Sequence, residues 1–395
     1  MNENVNKGDG HMETTDVVII GGGVIGTSIA FRLAKLFKKI VVIEKGEVGG
    51  QTSASCDKAI FLQSKRPGFP SKLAKASSNM YRNLEEELDM SVEYKQSGGM
   101  IVIESESHLP FMESFIKSQR MAGMDVKLLD KEETLRQQPC FSSHVFGSTY
   151  CKDDAEVNPL LLSQAFADAA IRDGVDIRTH TEVIRIKVRK GKVTCVETNK
   201  GKIATNLVIN AAGPFASSIA KMVNVDLPIK PRRGVILITE KVGPIINGSI
   251  LCSQYLAAKH LTPEEKLSPF GIGLSLGQTE SGNLLIGGSR EFVGFNKKVS
   301  TEVFSEIARH ACRIAPVLGN LRIIRTMVGF RPFTGDGLPI IDEAPGVQGL
   351  IIAAGHEGDG IALAPITGKL VADLVQGKKN NLLDGLKLER FALGS

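Results

Sequence analysis

An apolar run followed by closely spaced glycines, within residues 16–26, constrains the fold more than any other segment of the chain. The apolar run is too short for a buried helix and is typical of a central strand. Gly21, Gly23 and Gly26 follow it with the spacing G-x-G-x-x-G, and the pattern after them predicts a helix to about Phe37. The sequence therefore predicts a parallel α/β sheet that begins here.

An acidic residue completes this pattern after the next strand. Residues 40–43 form a second apolar run, which ends in Glu44. In dinucleotide-binding folds the first glycine permits a tight turn, the second lets the backbone approach a pyrophosphate, and the third lets the helix pack closely on the sheet. The helix N-terminus favours negative charge, and Glu44 can accept both hydroxyls of an adenosine ribose. The segment predicts a dinucleotide site, with an ordinary glycine-rich turn as the alternative.

Three later segments extend this candidate site. Residues 46–55 are small, polar and rich in backbone donors, as expected of a loop along a phosphate or ribityl chain. Residues 207–211 predict a buried strand that ends in a small-residue turn, at the sheet edge where ligands bind in such folds. Residues 355–360 form a second glycine turn, and the helix predicted over residues 361–376 can point its N-terminus at a ligand.

The composition limits the class of protein and its partners. With 42% hydrophobic and 23% charged residues, the 395-residue chain is typical of a globular protein of two domains or of one elaborated domain. The net charge of +5 is modest and the basic runs are short, so no nucleic-acid partner is expected. The six cysteines are far apart, which predicts no metal site and suits a reducing cytoplasm. No apolar run is long enough for a transmembrane segment.

The alternation of helix and strand patterns predicts an α/β fold with two domains. A discontinuous Rossmann-like domain is assigned to residues 14–91, 147–224 and 321–395. A second, α+β domain built on a mixed sheet is assigned to residues 92–146 and 225–320, where the later segment is rich in strand patterns.

Four blocks of residues resemble the D-amino-acid-oxidase-like family of FAD-dependent amine and amino-acid oxidoreductases, over about residues 16–374. The blocks are residues 21–44 with 49–55, 154–159, 209–214, and 329–339 with 355–360. The first block occurs in any dinucleotide fold, whereas the fourth is specific to this family. Within the family, residues 56–65 are similar to the catalytic subunits of multi-subunit dehydrogenases of the proline or hydroxyproline dehydrogenase, opine dehydrogenase and hydrogen cyanide synthase type.

The resemblance implies that the dinucleotide is FAD. The first domain is then the FAD-binding domain, and the second is the substrate-binding domain. Residues 328–331 lack the cysteine by which some relatives tether the flavin, so FAD is expected to be non-covalent. The residues expected to bind it are Gly21, Gly23, Val24, Ile25, Gly26, Glu44, Lys45, Gly50, Gln51, Thr52, Ser53, Ser55, Val183, Ala211, Ala212, Gly213, Gly355, Gly358, Gly360 and Ile361.

Three residues are candidates for the catalytic, substrate-facing end of the site. The resemblance places Arg331 at the active-site side of the flavin, where a guanidinium can hold a carboxylate bidentately; a structural ion pair between the domains is the alternative. His356 is expected either to face the flavin or substrate or to cap backbone groups. Arg290 is expected either in the substrate cavity or on the surface. Glu357 and Asp359, in the turn that holds His356, are expected to face solvent.

The implied reaction is the oxidation of a small amino or imino acid. A neutral amine passes hydride from its α-carbon to flavin N5, and water hydrolyses the resulting imine. The electrons are expected to pass to partner subunits that carry iron–sulfur or additional flavin centres, because this chain has no cysteines spaced for a cluster.

Three alternatives to this reaction remain open. A free-standing oxidase would reduce oxygen to hydrogen peroxide, although the apolar residues 361–363 stand where many oxidases carry a lysine. A flavin-binding subunit without turnover and an NAD-dependent enzyme are the other two. The expected location is the cytoplasm, with attachment to a membrane periphery through partners as a further option.

Overall fold

The computed structural model describes residues 12–260 and 269–394, which form a mixed α/β fold of three large sheets, one two-stranded sheet and flanking helices. The strands are β1 (Glu13–Thr14), β2 (Val17–Ile20), β3 (Ile40–Ile43), β4 (Ala59–Ile60), β5 (Gly99–Ile103), β6 (Val126–Leu129), β7 (Gly147–Cys151), β8 (Ala155–Glu156), β9 (Asp176–Arg178), β10 (Val183–Arg189), β11 (Lys192–Thr198), β12 (Gly201–Ala204), β13 (Val208–Asn210), β14 (Lys230–Lys241), β15 (Ser249–Cys252), β16 (Ser275–Gln278), β17 (Asn283–Gly287), β18 (Ile323–Phe333), β19 (Ile340–Glu343) and β20 (Leu350–Ala354). The α-helices are α1 (Val24–Leu33), α2 (Phe69–Tyr81), α3 (Leu84–Leu88), α4 (Leu109–Met121), α5 (Lys131–Gln137), α6 (Pro159–Arg172), α7 (Ala216–Lys221), α8 (Ser253–His260), α9 (Thr301–Ile314), α10 (Gly360–Val375) and α11 (Asn381–Asp384).

The first large sheet has six strands in the order β19-β20-β13-β2-β3-β9. All neighbours pair in parallel except β19 with β20. Strands β2 and β3 are apolar at every position and fully buried, as expected of parallel strands covered on both faces. Helices α1, α6 and α10 contribute to the core on one face, whereas α7 and the four-stranded sheet β1-β12-β11-β10 contribute to the other.

The helix starts in this layer follow the predictions closely. Asn158 caps α6, because its side chain accepts hydrogen bonds from the amides of Leu160 and Leu161, and Pro159 occupies the first helical position. Helix α1 is shorter than predicted and ends at Leu33 rather than near Phe37. The Phe37 amide still donates to the Leu33 carbonyl, but residues 34–36 form a turn after the helix rather than a continuation of it.

The second large sheet has eight strands in the order β18-β14-β17-β16-β15-β5-β7-β6. It is mixed, since β15 and β5 pair in parallel and the remaining pairs are antiparallel. Two of its strands, β7 and β18, come from segments assigned above to the Rossmann-like domain. The division into domains stays a prediction, and sheet membership departs from it at these two strands.

Among residues 12–260 and 269–394, no helix of at least 18 residues is apolar enough to cross a bilayer.

Candidate active site

An open cavity of about 280 Å³ runs from the carboxyl ends of the parallel strands to the eight-stranded sheet. This volume is close to the lower end of the usual range for a small-molecule pocket, about 300–1,000 Å³. Most residues predicted to bind FAD lie on its wall: Gly21, Gly23, Val24, Ile25, Glu44, Lys45, Gly50, Gln51, Thr52, Ser53, Ser55, Val183, Ala211, Ala212, Gly213, Gly358, Gly360 and Ile361.

Backbone packing around the first glycine turn explains its spacing. Gly21 has φ +110°, and a Cβ there would lie 2.6 Å from the Ala211 carbonyl oxygen. A Cβ on Gly26 would overlap the Gly21 carbonyl oxygen, so helix α1 packs directly on the turn. The Val24 amide, at the start of α1, donates to Ser53 Oγ. The turn, the helix N-terminus and the loop of Ser53 therefore lie together at one end of the cavity.

Glu44 lies at the same end, immediately after β3. Its Oε2 accepts a hydrogen bond from the Gly22 amide at 2.8 Å, and its Oε1 accepts one from the Gly46 amide at 2.7 Å. The two bonds fix the orientation of the side chain. Each carboxylate oxygen has a further lone pair, so both can still accept from hydroxyl groups of a ligand.

Three predicted site residues are not among the residues of the cavity wall. Gly26 and Gly355 pack closely against neighbouring residues instead of lining the cavity. A Cβ on Gly26 would overlap the Gly21 carbonyl oxygen, and a Cβ on Gly355 would lie 2.6 Å from Thr334 Cγ2. Arg290 is only 8% exposed, so the surface alternative for it was wrong. Its guanidinium carbon lies 3.8 Å from the centre of the Tyr255 ring, and Tyr255 is itself on the wall. Arg290 thus forms a second layer behind Tyr255.

Arg331, on β18, also lies on the wall. A Cβ at Gly234, on the neighbouring strand β14, would overlap the Arg331 guanidinium, so the guanidinium would have to move if this glycine were replaced. The guanidinium donates through Nη1 to the Ser289 carbonyl at 3.0 Å. Burial and the nearby charge of Arg290 lower the pKa of Arg331. This residue places a cation on the wall of the cavity.

His356 is on the wall and is 2% exposed. Thr367 Oγ1 donates to the Leu363 carbonyl, so it accepts from His356 Nε2 at 3.0 Å. This arrangement assigns the proton to Nε2 and leaves Nδ1 unprotonated. Burial lowers the pKa of His356 to about 3, so the ring is neutral at physiological pH. Its polar contact is with a side chain of α10 rather than with the backbone groups that one alternative required.

The two acids beside His356 do not face solvent, contrary to the expectation. Glu357 forms a buried ion pair with Arg232, and their side chains are 5% and 8% exposed. Asp359 pairs with Lys65 at 2.6 Å. Both partners lie far away in sequence, and single-sequence patterns do not reveal such pairing. Two ion pairs therefore stabilise the glycine turn of residues 355–360, in addition to its backbone geometry.

Several wall residues with polar side chains were missing from the predicted site, among them Tyr255 and Asp57. Tyr255 comes from α8, a helix that the sequence reading did not identify. Asp57 follows the early polar loop and accepts hydrogen bonds from Ser275 Oγ and from the Ala59 amide. The proximity of Asp57 to residues 46–55 was the one sequence signal that pointed to it.

Three potential metal ligands come together outside this cavity, although they are far apart in sequence. Single ligand atoms of Glu104, Cys252 and His310 lie within 4.8 Å of one another. Arg313 Nη2 lies 2.8 Å from His310 Nδ1, and a guanidinium can only donate. The proton of His310 is therefore on Nε2, the nitrogen that faces Cys252 Sγ at 3.5 Å. The arrangement fits a buried hydrogen-bonded cluster better than a metal site.

The cavity fits FAD on the geometry of these residues. Two helix N-termini, those of α1 and α10, lie on its wall, where they favour a phosphate or another electron-rich group. Glu44 provides acceptors for ribose hydroxyls at one end. The side chains of Ala211–Gly213 and Gly21 are small or absent. A ligand that lies between these two turns can therefore approach their backbone closely.

Comparisons with known proteins agree with this fit. The chain is 29% identical to glycine oxidase from Bacillus licheniformis over 384 residues, covering 95% of this chain and 97% of that protein. It is 28% identical to hydrogen cyanide synthase subunit HcnC from Pseudomonas aeruginosa, covering 92% of each. The crystal structure of L-proline dehydrogenase from P. horikoshii superposes with a TM-score of 0.87 at 27% identity, covering 97% of this chain and 99% of that one. The model of the DAO family, described as FAD dependent oxidoreductase, matches residues 16–374. The chain belongs to the DAO family of FAD-dependent oxidoreductases.

Proposed function

We propose that the protein oxidises a carboxylated amine, an amino or imino acid, at its α-carbon. The observation that carries this proposal is the guanidinium of Arg331 on the cavity wall. A carboxylate bound there would be held by a charge-assisted, bidentate interaction. Bound FAD supplies the acceptor for the hydride equivalent that the substrate α-carbon loses. The amine becomes an imine, which water hydrolyses.

The roles proposed for the chain's own residues follow from their contacts. Arg331 binds the substrate carboxylate and orients the amine. His356 stays neutral, so it adds no positive charge near the substrate nitrogen and can accept a hydrogen bond at Nδ1. The wall residues of the two glycine turns and the Glu44 carboxylate hold FAD without a covalent link. Cys56, also on the wall, is a poor candidate for such a link because burial raises the pKa of its thiol.

The test is an anaerobic screen in which the flavin absorbance is followed while glycine, sarcosine, proline, hydroxyproline, D-amino acids and opines are added. Carboxylated amines should bleach the flavin. In Arg331→Ala the apparent dissociation constant should rise by about 10- to 100-fold, as expected for the loss of a charged hydrogen-bonded contact. Arg325→Ala is the matched control, because Arg325 is exposed on the same strand. Unchanged affinity in Arg331→Ala would remove this residue from the site.

We further propose that the electrons pass to a partner subunit or carrier rather than to oxygen. The similarity of residues 56–65 to subunits of multi-subunit dehydrogenases supports this, as does the similarity of the whole chain to a protein named as a subunit. The glycine oxidase relative favours the alternative, direct reduction of oxygen to peroxide. With substrate, the purified chain should reduce an artificial dye faster than it forms peroxide. Peroxide formation as fast as dye reduction would show instead that the protein is an oxidase.

The cytoplasm is the proposed location. All six cysteines of the chain are free, which suits a reducing compartment. The division into an FAD-binding and a substrate-binding domain also remains part of this proposal.

A further inference from the structure

The Asp57 carboxylate lies on the cavity wall and is half-buried. Its Oδ2 accepts a hydrogen bond from Ser275 Oγ at 2.5 Å, and its Oδ1 accepts one from the Ala59 amide at 3.3 Å. Among the described residues, no cation lies within ion-pair distance of it. Each carboxylate oxygen has a further lone pair, so Asp57 can still accept a hydrogen bond from a ligand.

Arg331 reaches the same cavity from strand β18 of the eight-stranded sheet. A Cβ on Gly234 of β14 would overlap its guanidinium, so the guanidinium covers that glycine. Gly234 and Ile236 are both on the wall, and positions two residues apart on a strand share a face. The Arg331 guanidinium therefore lies over the cavity-facing side of β14.

The same face of the sheet continues from Ile236 to Asp57. Ile236 pairs with Gly287 of β17, and Gly287 pairs with Ser275 of β16. Directly paired residues share a face. A Cβ on Gly287 would lie 3.4 Å from Ile236 Cγ1 and 3.6 Å from Ser275 Cβ, so these two side chains flank a bare glycine. Because Ser275 donates to Asp57, the carboxylate lies on the same face as the guanidinium of Arg331.

The charges of Asp57 and Arg331 act on each other across this face. Burial and the charge of Arg290 lower the pKa of Arg331, whereas Tyr255 and Asp57 partly offset that lowering. Asp57 and Arg331 form no direct ion pair, so a ligand with charges of both signs can bridge them. In an α-amino acid, two bonds of about 1.5 Å each separate the nitrogen from the carboxylate carbon. Charged hydrogen bonds extend this reach by about 2.8 Å at each end.

We propose that Asp57 binds the nitrogen of the substrate while Arg331 binds its carboxylate, so that the pair selects amino and imino acids over carboxylates without an amine. The inference rests on the proposed oxidation of a carboxylated amine and assigns the nitrogen end of that site. The amino acid enters as a zwitterion, and its ammonium group loses one proton to solvent in the open cavity. When the α-carbon then loses its hydrogen with the bonding electron pair, the nitrogen lone pair forms the C=N bond. The nitrogen becomes positive again, and a carboxylate beside it stabilises that developing charge.

Two ligands that cannot be oxidised separate this contact from turnover. 2-Aminoisobutyrate has an amine but no hydrogen on its α-carbon, and pivalate has a similar shape with a methyl group in place of the amine. Calorimetric titration of the FAD-loaded wild type should give a dissociation constant about 10- to 100-fold lower for 2-aminoisobutyrate, as expected for a charged hydrogen-bonded contact. In Asp57→Asn the two constants should lie within about threefold of each other, with pivalate binding unchanged.

Either of two calorimetric results would overturn the inference. One is that the wild type does not distinguish 2-aminoisobutyrate from pivalate. The other is a preference for 2-aminoisobutyrate that persists in a folded, flavin-containing Asp57→Asn protein.

Anaerobic flavin bleaching distinguishes failure of this inference from failure of the proposed function. Carboxylated amines should still bleach the flavin of Asp57→Asn, but at concentrations about 10- to 100-fold higher than in the wild type. Ser275→Ala, which removes a hydrogen bond that orients Asp57, should require a smaller increase of about 3- to 10-fold. Asp384→Asn, at an exposed position of α11, is the control and should match the wild type. Unchanged bleaching in Asp57→Asn would overturn this inference alone, whereas a wild type that no carboxylated amine bleaches would overturn the proposed function as well.

Discussion

His356 is the residue whose ionisation is most strongly affected by the fold. It donates from Nε2 to Thr367, and burial lowers its pKa to about 3. In the unfolded chain the imidazole has an ordinary pKa near 6.5. Between these two values the unfolded chain binds a proton that the folded chain does not. The free energy of unfolding therefore falls as the pH drops from about 6.5 towards 3, by at most about 1.4 kcal/mol per pH unit from this group.

Replacing this histidine should reduce the acid sensitivity of the protein. His356→Gln removes the titrating group, so the decrease in melting temperature between pH 7 and about pH 5 should be smaller than in the wild type. Thermal unfolding followed by circular dichroism at both pH values measures the difference. His144→Gln, at an exposed position, is the control and should keep the wild-type acid sensitivity. An unchanged pH dependence in His356→Gln would show that His356 ionises normally in the folded protein.

The ion pair of Glu357 with Arg232 supports the turn that carries His356. Glu357→Gln leaves a buried arginine without a counter-charge and should lower the free energy of unfolding by about 3–5 kcal/mol. Arg232→Met combined with Glu357→Gln removes both charges and should be less destabilised than the single variant. Chemical denaturation measures both. Asp125→Asn, which breaks an exposed pair with Lys152, should have almost no effect. A single Glu357 variant as stable as the wild type would contradict this account.

Arg331 and Glu44 could be located from the sequence because each lies in a short motif whose residues are contiguous. Tyr255 and Arg290 could not be placed together, since their contact joins α8 to the segment after β17. The pairing of Glu357 with Arg232 likewise depends on the antiparallel pairing of β14 with β18 and on the late turn beside it. Single-sequence patterns describe local geometry, and these contacts are long-range.

At the scale of elements, the packing of helix α1 on the first glycine turn positions the nucleotide end of the site. Gly26→Ala should disrupt it, because the added methyl group overlaps the Gly21 carbonyl. We expect loss of bound FAD and a decrease in stability of about 1–3 kcal/mol, as for other overpacked positions. The ratio of flavin to protein absorbance after desalting measures retention. Gly243→Ala, where an added Cβ meets nothing within 4 Å, is the control and should retain FAD fully. Full retention by Gly26→Ala would argue against this geometry.

The elements of the six-stranded sheet were predictable because each has a strong local pattern. Strands β2, β3 and β20 are continuous apolar runs, and helices α6 and α10 begin at recognisable cap or glycine signals. Strand β15 and helix α8 were missed, since residues 249–256 are short and mixed in polarity. The eight-stranded sheet joins strands from three separated parts of the chain, and only tertiary packing determines their order.

At the scale of the whole molecule, the cavity lies where the six-stranded and the eight-stranded sheets approach each other. The six-stranded sheet contributes the glycine turns and Glu44, whereas the eight-stranded sheet contributes Arg331, Gly234 and Ile236. Family membership was recognisable from the sequence because its motifs come from the first sheet and from the end of β18. The side chains that the eight-stranded sheet and its helices place on the wall, such as Tyr255, have no comparable motif.

The central claim is that both glycine turns hold one FAD, with Arg331 at its substrate end. The most direct measurement is the visible spectrum of the FAD-loaded protein, recorded anaerobically before and after addition of carboxylated amines to the wild type and to Arg331→Ala. The account predicts a bound flavin that is bleached in the wild type and that requires much higher amine concentrations in the variant. A protein that retains no flavin, or a flavin that every carboxylated amine leaves oxidised, would contradict it.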